Sequence, residues 1–129
     1  MSKIHQVKQD DNFKSLDYLL TLLNEIDNAS QEEKRSLEHH LRRLVRYLLK
    51  LQYWELEAGR NYKYWQIVVF NSRNSIQGLI KRNPSLKKYM QNVYPEIYQN
   101  AFMIGNLDFY IPENFSIDLD QILTKRYFG

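Results

Sequence analysis

Two adjacent histidines stand near the start of "SLEHHLRRLVRYLLKLQYW", the stretch of residues 36–54. On a helix, metal ligands are three or four residues apart, because only that spacing places two side chains on one face. His39 and His40 are direct neighbours, about 100° apart on a helix, and His5 is distant in sequence. The chain has no cysteine, which excludes thiolate metal ligands, disulfides and a cysteine nucleophile. We therefore expect no metal site.

Arg35 and His40 form the pattern R-x-x-x-x-H, which resembles the catalytic spacing of the higher-eukaryote-and-prokaryote nucleotide-binding (HEPN) ribonucleases. Five residues on a continuous helix place the two side chains about 140° apart, so they would meet only through dimerisation or a broken helix. The chain has four glycines, and it contains neither a glycine-rich phosphate-binding motif nor a G-x-S-x-G nucleophile motif. We expect no catalytic residue and no cofactor, with a HEPN-like ribonuclease as an alternative.

The same stretch carries a regular row of leucines. They recur four, three, four and three residues apart, and all lie within about 40° on a helical wheel. This spacing predicts that one face of the helix is buried, while the opposite, cationic face meets water or an anionic partner. The leucines are Leu37, Leu41, Leu44, Leu48 and Leu51, and the cations are Arg35, Arg42, Arg43, Arg46 and Lys50.

Three ring side chains follow one edge of this leucine row. They are His40, Tyr47 and Trp54, seven residues apart. Rings with a polar atom commonly pack at the boundary of a core and keep that atom in water. We expect such packing here, and the alternative is an aromatic edge site for a cofactor or a nucleobase.

Charge is unevenly distributed along the chain. The net charge is −4 over residues 1–33, +10 over 34–88 and −3 over 89–129, which gives +3 for the whole chain. The basic middle can bind an anionic partner such as nucleic acid, or the acidic ends of the chain can neutralise it. An anion would contact the cations of the leucine-row helix and three further residues, Arg82, Lys87 and Lys88.

Apolar residues recur at helical spacing in successive segments of the chain. We therefore predict an all-α fold, a small bundle of four to five helices with an irregular C-terminal segment. A first helix begins near Phe13 and ends at "DNAS". Ser30 and Glu33 form a capping box, S-x-x-E, which predicts the start of a second helix. That helix should run to about Glu57, before Gly59.

Prolines delimit the helices of the second half. A third helix is predicted over residues 61–82, and a fourth begins near Asn83, a possible N-cap followed by a proline. Pro95 should end or kink that helix at the preceding residue. The remaining elements are a helix over 95–104 and, within a loop at 105–129, an extended piece at "FYI" and a short helix near 117–125.

Several observations indicate a soluble single-domain protein. The first residues, "MSKIHQVKQDDNFKS", contain no apolar signal-peptide core, and no run approaches the roughly 20 apolar residues of a membrane span. We expect residues 1–129 to form one helical domain with a flexible start over 1–12. The lack of cysteine suits a reducing cytoplasm, so we expect a cytoplasmic protein that does not bind membranes.

The order of segments resembles the domain of unknown function 29 family, in which "LLKxQ", "PSL" and "YPxAYxxA" are landmarks. The matching segments are "LDYLLTLLNEID", "EEKRSLEHHLRRLVRYLLKLQYW", "YWQIVVFNSRNSIQGLI", "NPSLKKYMQNVYPEIYQNA" and "LDFYIPENFSIDLDQIL". The resemblance covers about residues 16–125 and implies an all-helical fold and a cyanobacterial source, with no activity attached. Two features depart from the family: the N-terminal stretch is short, and Tyr47 stands where relatives often carry histidine before "LLK".

These observations favour a non-enzymatic helical module that binds another protein or itself. The motivation is the absence of reactive motifs together with one long helix whose apolar and cationic faces are separated. The alternative is nucleic-acid binding through the basic middle of the chain, residues 34–88.

Overall fold

The computed structural model describes the backbone of residues 7–124, with side chains for residues 31–124 and for Leu16 and Leu19. Over this range the chain is helical and contains no strand. The predicted all-α fold, with an irregular C-terminal segment, is confirmed. Its four helices are α1 (Val7–Tyr53), α2 (Glu55–Arg82), α3 (Leu86–Asp108) and α4 (Leu119–Ile122).

The chain divides into two compact units, residues 1–33 and 34–129. The first unit holds the N-terminal part of α1, on which Leu16 and Leu19 are exposed. The second holds the rest of α1 and the other helices. That residues 1–129 form one domain stays a prediction. Of the stretch 1–12, expected to be flexible, residues 7–12 belong to α1, and the others lie outside the described residues.

The predicted helix break at "DNAS", residues 27–30, is absent. Helix α1 passes through this segment, so Ser30 lies inside the helix and is not an N-cap. Polar residues such as Asp, Asn and Ser lower helix stability by only a few tenths of a kcal/mol each. Neither glycine nor proline occurs within α1. The sequence therefore contains no residue strong enough to stop the helix at this point.

The boundary between α1 and α2 lies at Trp54, four residues before the predicted start of the loop at about residue 58. Trp54 leaves helical geometry, with φ −94° and ψ 69°, and its indole stacks on Trp65 at 5.8 Å and on Phe109 at 5.1 Å between ring centroids. Gly59 lies inside α2, where it costs only about 1 kcal/mol relative to alanine. Contacts of the Trp54 ring with distant residues thus set the boundary.

Helix α3 continues through Pro95, so of the two predicted outcomes, an end or a kink, the helix end is absent. A proline within a helix removes one backbone hydrogen bond and costs about 3 kcal/mol. Side chains are buried on both sides of the proline, among them Met90, Tyr94, Ile97 and Tyr98. Their burial offsets the cost and keeps one helix from Leu86 to Asp108, so no separate helix over 95–104 exists.

One core holds the second unit together. The predicted leucine row of α1 faces it: Leu37, Leu41, Leu44 and Leu48 are fully buried, and Leu51 is partly buried. Apolar side chains of α2, α3 and the C-terminal segment complete this core, including Val69, Ile76, Leu86, Met90, Ile111 and Ile117. The expected burial of the leucine face is confirmed. On the opposite face Arg35, Arg42 and Arg46 are exposed, whereas Arg43 and Lys50 are partly buried.

The C-terminal segment, residues 109–124, lies against α2 and α3 through side chains that donate hydrogen bonds to its backbone carbonyls. The Tyr94 hydroxyl donates to the Ile117 carbonyl at 2.6 Å, and the Tyr98 hydroxyl donates to the Phe115 carbonyl at 2.7 Å. Helix α4 ends this segment, and Asp118 caps it in a capping box with Gln121. The predicted short helix is present, and it spans Leu119–Ile122.

Candidate functional site

A groove open to solvent lies between α1 and α2 and contains both predicted helical histidines. Its volume is about 310 Å³. Helix α1 places His39, His40 and Arg43 on one wall, and α2 contributes residues spaced three and four apart along one face. We call this the α1–α2 groove, lined by His39, His40, Arg43, Tyr64, Ile67, Val68, Asn71, Ser72 and Ser75.

The described residues that line the groove include a cation and no acidic side chain. None of the described lining residues is a carboxylate, and the chain has no Asp or Glu from Ala58 to Pro95. Among the described residues the one ion pair joins Arg42 to Glu38, at 2.9 Å, so the Arg43 charge has no carboxylate partner there. Arg43 instead lies over the ring of Tyr47, with its guanidinium carbon 5.9 Å from the ring centroid. The groove is therefore electrostatically suited to an anion.

The imidazoles of the groove differ in environment. His40 is half-buried and His39 is exposed, with 5.3 Å between their ring centroids. Burial, followed by the nearby His39 and Arg43, lowers the pKa of His40. A lower pKa favours the neutral imidazole, which donates one N–H and accepts at its other nitrogen. His40 therefore offers hydrogen bonds to a ligand more readily than charge.

A cluster of rings around Lys50 adjoins the groove. The Lys50 ammonium lies 4.3 Å from the ring centroid of Tyr47, 5.7 Å from that of Trp54 and 5.9 Å from that of Trp65. Burial, and then the charge of Arg46, lowers the pKa of Lys50, while Asp108 opposes this shift. Tyr47 also meets Tyr64 edge-on at 6.1 Å between centroids. The predicted aromatic edge is thus shared between the groove (His40) and the Lys50 cluster (Tyr47 and Trp54).

The structure separates the cations that we predicted as one anion-binding set. Arg43 lines the groove and Lys50 is surrounded by rings, whereas Arg35 and Arg46 are exposed on α1. The exposed Arg42 pairs with Glu38, which also accepts a hydrogen bond from the Tyr89 hydroxyl. The remaining three, Arg82, Lys87 and Lys88, are exposed around the turn from α2 to α3.

Arg35 does not join His40 in the groove. Arg35 is exposed on α1 and is not part of the groove lining, as the 140° separation on a continuous helix requires. The described residues therefore show no Arg–His convergence of the HEPN type within one chain. Within residues 31–124, no three His, Cys, Asp or Glu side chains are grouped so that they could hold a metal ion.

Sequence reasoning missed the residues of α2 that complete the groove. Tyr64, Asn71 and Ser75 lie on one side of α2, at spacings of seven and four residues. It also missed Arg73, which is 2% exposed and whose Nε donates to the Ile122 carbonyl at 2.7 Å. The signal for Arg73 was present, because it lies four residues after Val69 and three before Ile76, on the buried face of α2.

A larger groove, of about 460 Å³, lies between α3 and the C-terminal segment. Pro95, Phe102 and Phe115 contribute much of its wall. The hydroxyls of Tyr94 and Tyr98, which also line it, already donate to backbone carbonyls of the segment. These two hydroxyls therefore serve the docking of the chain's own C-terminal segment. The lining also includes the carboxylate of Glu113, so the α1–α2 groove is the better candidate for binding an anion.

The C-terminal end of α3 exposes a cluster of large apolar side chains. Residues 103, 104 and 107 are neighbours at helical spacing, and residue 110 is the second residue after the end of the helix. We call this the α3 patch: Met103 is 64% exposed, Ile104 46%, Leu107 85% and Tyr110 74%. Exposed apolar clusters of this kind commonly mark protein-binding surfaces.

The family model described as "Domain of unknown function DUF29" matches residues 1–128. The chain belongs to the DUF29 family. This confirms the family that the segment order suggested, and the family description carries no activity. Comparison with curated proteins and with solved structures gives no match. The cyanobacterial source and the cytoplasmic location of this DUF29 chain stay predictions.

No helix of the described residues combines the length and the apolar character that crossing a bilayer requires.

Proposed function

We propose that this DUF29 chain is a non-enzymatic protein-interaction module that self-associates through the α3 patch. The observation that carries the proposal is the exposure of four large apolar side chains at one helix end. Leu107 alone is 85% exposed, although a leucine gains about 1.5–3 kcal/mol when it is fully buried. Burial of the patch against a second polypeptide would stabilise the complex by much of this free energy.

The surroundings of the patch favour a second copy of the chain. From Tyr89 to Leu107 the chain carries a single charged residue, Glu96. The patch segment, residues 103–110, adds one charge, Asp108, so two copies can approach each other through this end of α3 with like-charge repulsion limited to that residue. A two-fold contact between identical patches would also bury the same apolar side chains on both copies. The cationic surface of α1 and α2, by contrast, would repel its own copy.

Light scattering after size exclusion, over a concentration series, tests self-association. The wild-type chain is expected to move from its monomer mass of 15.7 kDa towards twice that mass as concentration rises. The double variant Met103→Ser/Leu107→Ser is expected to stay monomeric over the same range. It loses two exposed apolar side chains and no core contact, so its circular dichroism should match that of the wild type.

Phe70→Ser provides the matched control, because Phe70 is also large, apolar and exposed but lies on α2. Its dimerisation should equal that of the wild type. A wild-type chain that stays monomeric at all concentrations would refute self-association. Equal loss of the dimer in the control would show that the α3 patch is not the interface.

Nucleic-acid binding is a second candidate, and a row of exposed cations on α1 favours it. Arg35, Arg42 and Arg46 lie within about 40° on the helix and extend over about 16 Å. Only Arg42 pairs with a carboxylate among the described residues. Such a row can contact successive phosphates of a backbone without reading its sequence.

Fluorescence anisotropy with labelled single-stranded RNA and duplex DNA, at several salt concentrations, tests this candidate. Affinity is expected to fall steeply with salt, and Arg35→Gln/Arg46→Gln should reduce the slope of log K against log salt by about 2. Arg60→Gln/Lys63→Gln makes the same change of charge on α2 and should leave the slope within about 0.5 of the wild type. No binding at low salt, or equal effects of both double variants, would count against the α1 row.

A further inference from the structure

The α1–α2 groove concentrates hydrogen-bond donors on its two walls. Imidazoles and a guanidinium come from α1, at His39, His40 and Arg43. Hydroxyl and amide groups come from α2, including those of Asn71 and Ser75. Seven of the nine lining residues carry an N–H or O–H donor, and the other two are Ile67 and Val68. A ligand rich in acceptors would satisfy such a surface.

The electrostatics of the groove select an anion among such ligands. Arg43 brings a full positive charge that no carboxylate among the described residues pairs with. The carboxylate nearest in sequence, Glu38, is engaged by Arg42 and by the hydroxyl of Tyr89. A phosphate monoester offers three acceptor oxygens and up to two negative charges, and arginine binds phosphate in a bidentate manner. Carboxylate ligands offer fewer acceptors for the same set of donors.

The size and the apolar part of the groove limit the rest of the ligand. A volume of about 310 Å³ is at the small end of the range for small-molecule sites. Tyr64 and Ile67, both exposed by about half, border the groove and offer one aromatic and one aliphatic surface. The face of a flat ring can pack on both, and Arg43 and His40 line the same groove for a phosphate attached to that ring.

We infer that the α1–α2 groove binds a small phosphomonoester with a flat organic part, of which a nucleoside monophosphate is the representative. In this arrangement Arg43 supplies the charge, His40 and Ser75 supply neutral hydrogen bonds, and Tyr64 packs against the flat part. The groove shares no residue with the α3 patch. Ligand binding and self-association are therefore separate properties that can be tested independently.

Isothermal titration with three probes tests the inference: adenosine 5′-monophosphate, adenosine and ribose 5-phosphate. Adenosine 5′-monophosphate is expected to bind. Adenosine lacks the phosphate and ribose 5-phosphate lacks the flat base, so each should bind at least about tenfold more weakly. Backbone amide shifts in a ¹⁵N–¹H spectrum should concentrate in α1 and α2 around His40 and Ser75. Equal binding of adenosine and its monophosphate, or shifts confined to another surface, would overturn the inference.

Adjacent arginines on α1 provide a matched pair of variants. Arg43→Gln removes the charge within the groove and should weaken binding of adenosine 5′-monophosphate at least about tenfold. Arg42→Gln removes an exposed charge that is not part of the groove lining and should change affinity by less than about twofold. Equal weakening by both variants would mean that the overall charge of α1, and not the groove, attracts the ligand.

The same chemical group occurs on free nucleotides and at the 5′ end of a processed RNA. Short RNA oligonucleotides of one sequence, with a 5′-phosphate or a 5′-hydroxyl, distinguish the two sources. An RNA end is identified when the phosphorylated oligonucleotide binds more tightly than both the hydroxyl oligonucleotide and adenosine 5′-monophosphate. Tighter binding of adenosine 5′-monophosphate than of either oligonucleotide identifies a free nucleotide. No binding of adenosine 5′-monophosphate up to about 1 mM, with equal affinity for both oligonucleotides, would overturn the inference.

Discussion

Replacing Leu44 by alanine is expected to lower the free energy of unfolding by about 3 kcal/mol. Leu44 is fully buried, and it lies at the centre of the leucine row that faces the core of the second unit. Truncation removes the transfer free energy of the side chain and leaves a cavity, because fully buried Leu41 and Leu48 on the same helix have little room to move into it. Urea unfolding followed by circular dichroism at 222 nm measures the change.

Leu56→Ala is the matched control for this prediction. Leu56 is 97% exposed, so the same change of side chain should alter the free energy of unfolding by less than about 0.5 kcal/mol. Similar losses in both variants would show that burial does not determine the effect, since alanine has a higher helix propensity than leucine and cannot lower stability through propensity. A loss below about 1 kcal/mol for Leu44→Ala would contradict the packing of α1 against the core.

The leucine row could be predicted from sequence because helical burial is a local, periodic property. A residue's face follows from its position in the 3.6-residue period, so the spacing from Leu37 to Leu51 was sufficient to assign the buried side of α1. The same argument, applied to α2, would have assigned Arg73 to the buried face. The position was not predicted to be buried because arginine is seldom fully buried.

The ends of the helices could not be predicted in the same way. The rules for caps and breakers weigh each residue by its local preference, and they placed ends at "DNAS", Gly59 and Pro95. The structure passes through all three sites. Helix α1 instead ends at Tyr53. The next residue is Trp54, whose indole stacks on the rings of Trp65 and Phe109. Such contacts join residues distant in sequence, and local preference contains no information about them.

Prediction of the candidate site from sequence was limited in the same way. From one helix, His39 and His40 diverge by about 100° and do not suggest a common site. The structure brings both into the α1–α2 groove, because a groove between two helices collects side chains from a wide sector of each. The partners on α2, such as Asn71 and Ser75, are unremarkable in sequence. Their relevance follows only from the packing of α2 against α1.

Replacing Arg73 by alanine is expected to lower the free energy of unfolding by about 3 kcal/mol and to loosen α4. Arg73 is 2% exposed, and its Nε donates to the Ile122 carbonyl at 2.7 Å, next to the bond from Gln77 to the Leu123 carbonyl at 3.2 Å. The substitution removes a donor from a buried carbonyl and opens a cavity beside fully buried Ile122. Urea unfolding measures the stability, and hydrogen exchange of the amides of residues 119–124 measures the docking of α4.

Arg82→Ala distinguishes this specific role from a general effect of charge, because Arg82 lies on the same helix but is exposed. Its free energy of unfolding should stay within about 0.5 kcal/mol of the wild type, with unchanged exchange in α4. Arg73→Met separates the two contributions of Arg73, since methionine fills much of the volume but donates no hydrogen bond. If the filled volume contributes more to stability than the hydrogen bond, Arg73→Met should recover most of the free energy of unfolding that Arg73→Ala loses. Hydrogen exchange in α4 should then stay fast, because the bond to the Ile122 carbonyl is still missing. If α4 exchanges at the wild-type rate in both Arg73 variants, the hydrogen bond to the Ile122 carbonyl does not hold the C-terminal segment in place.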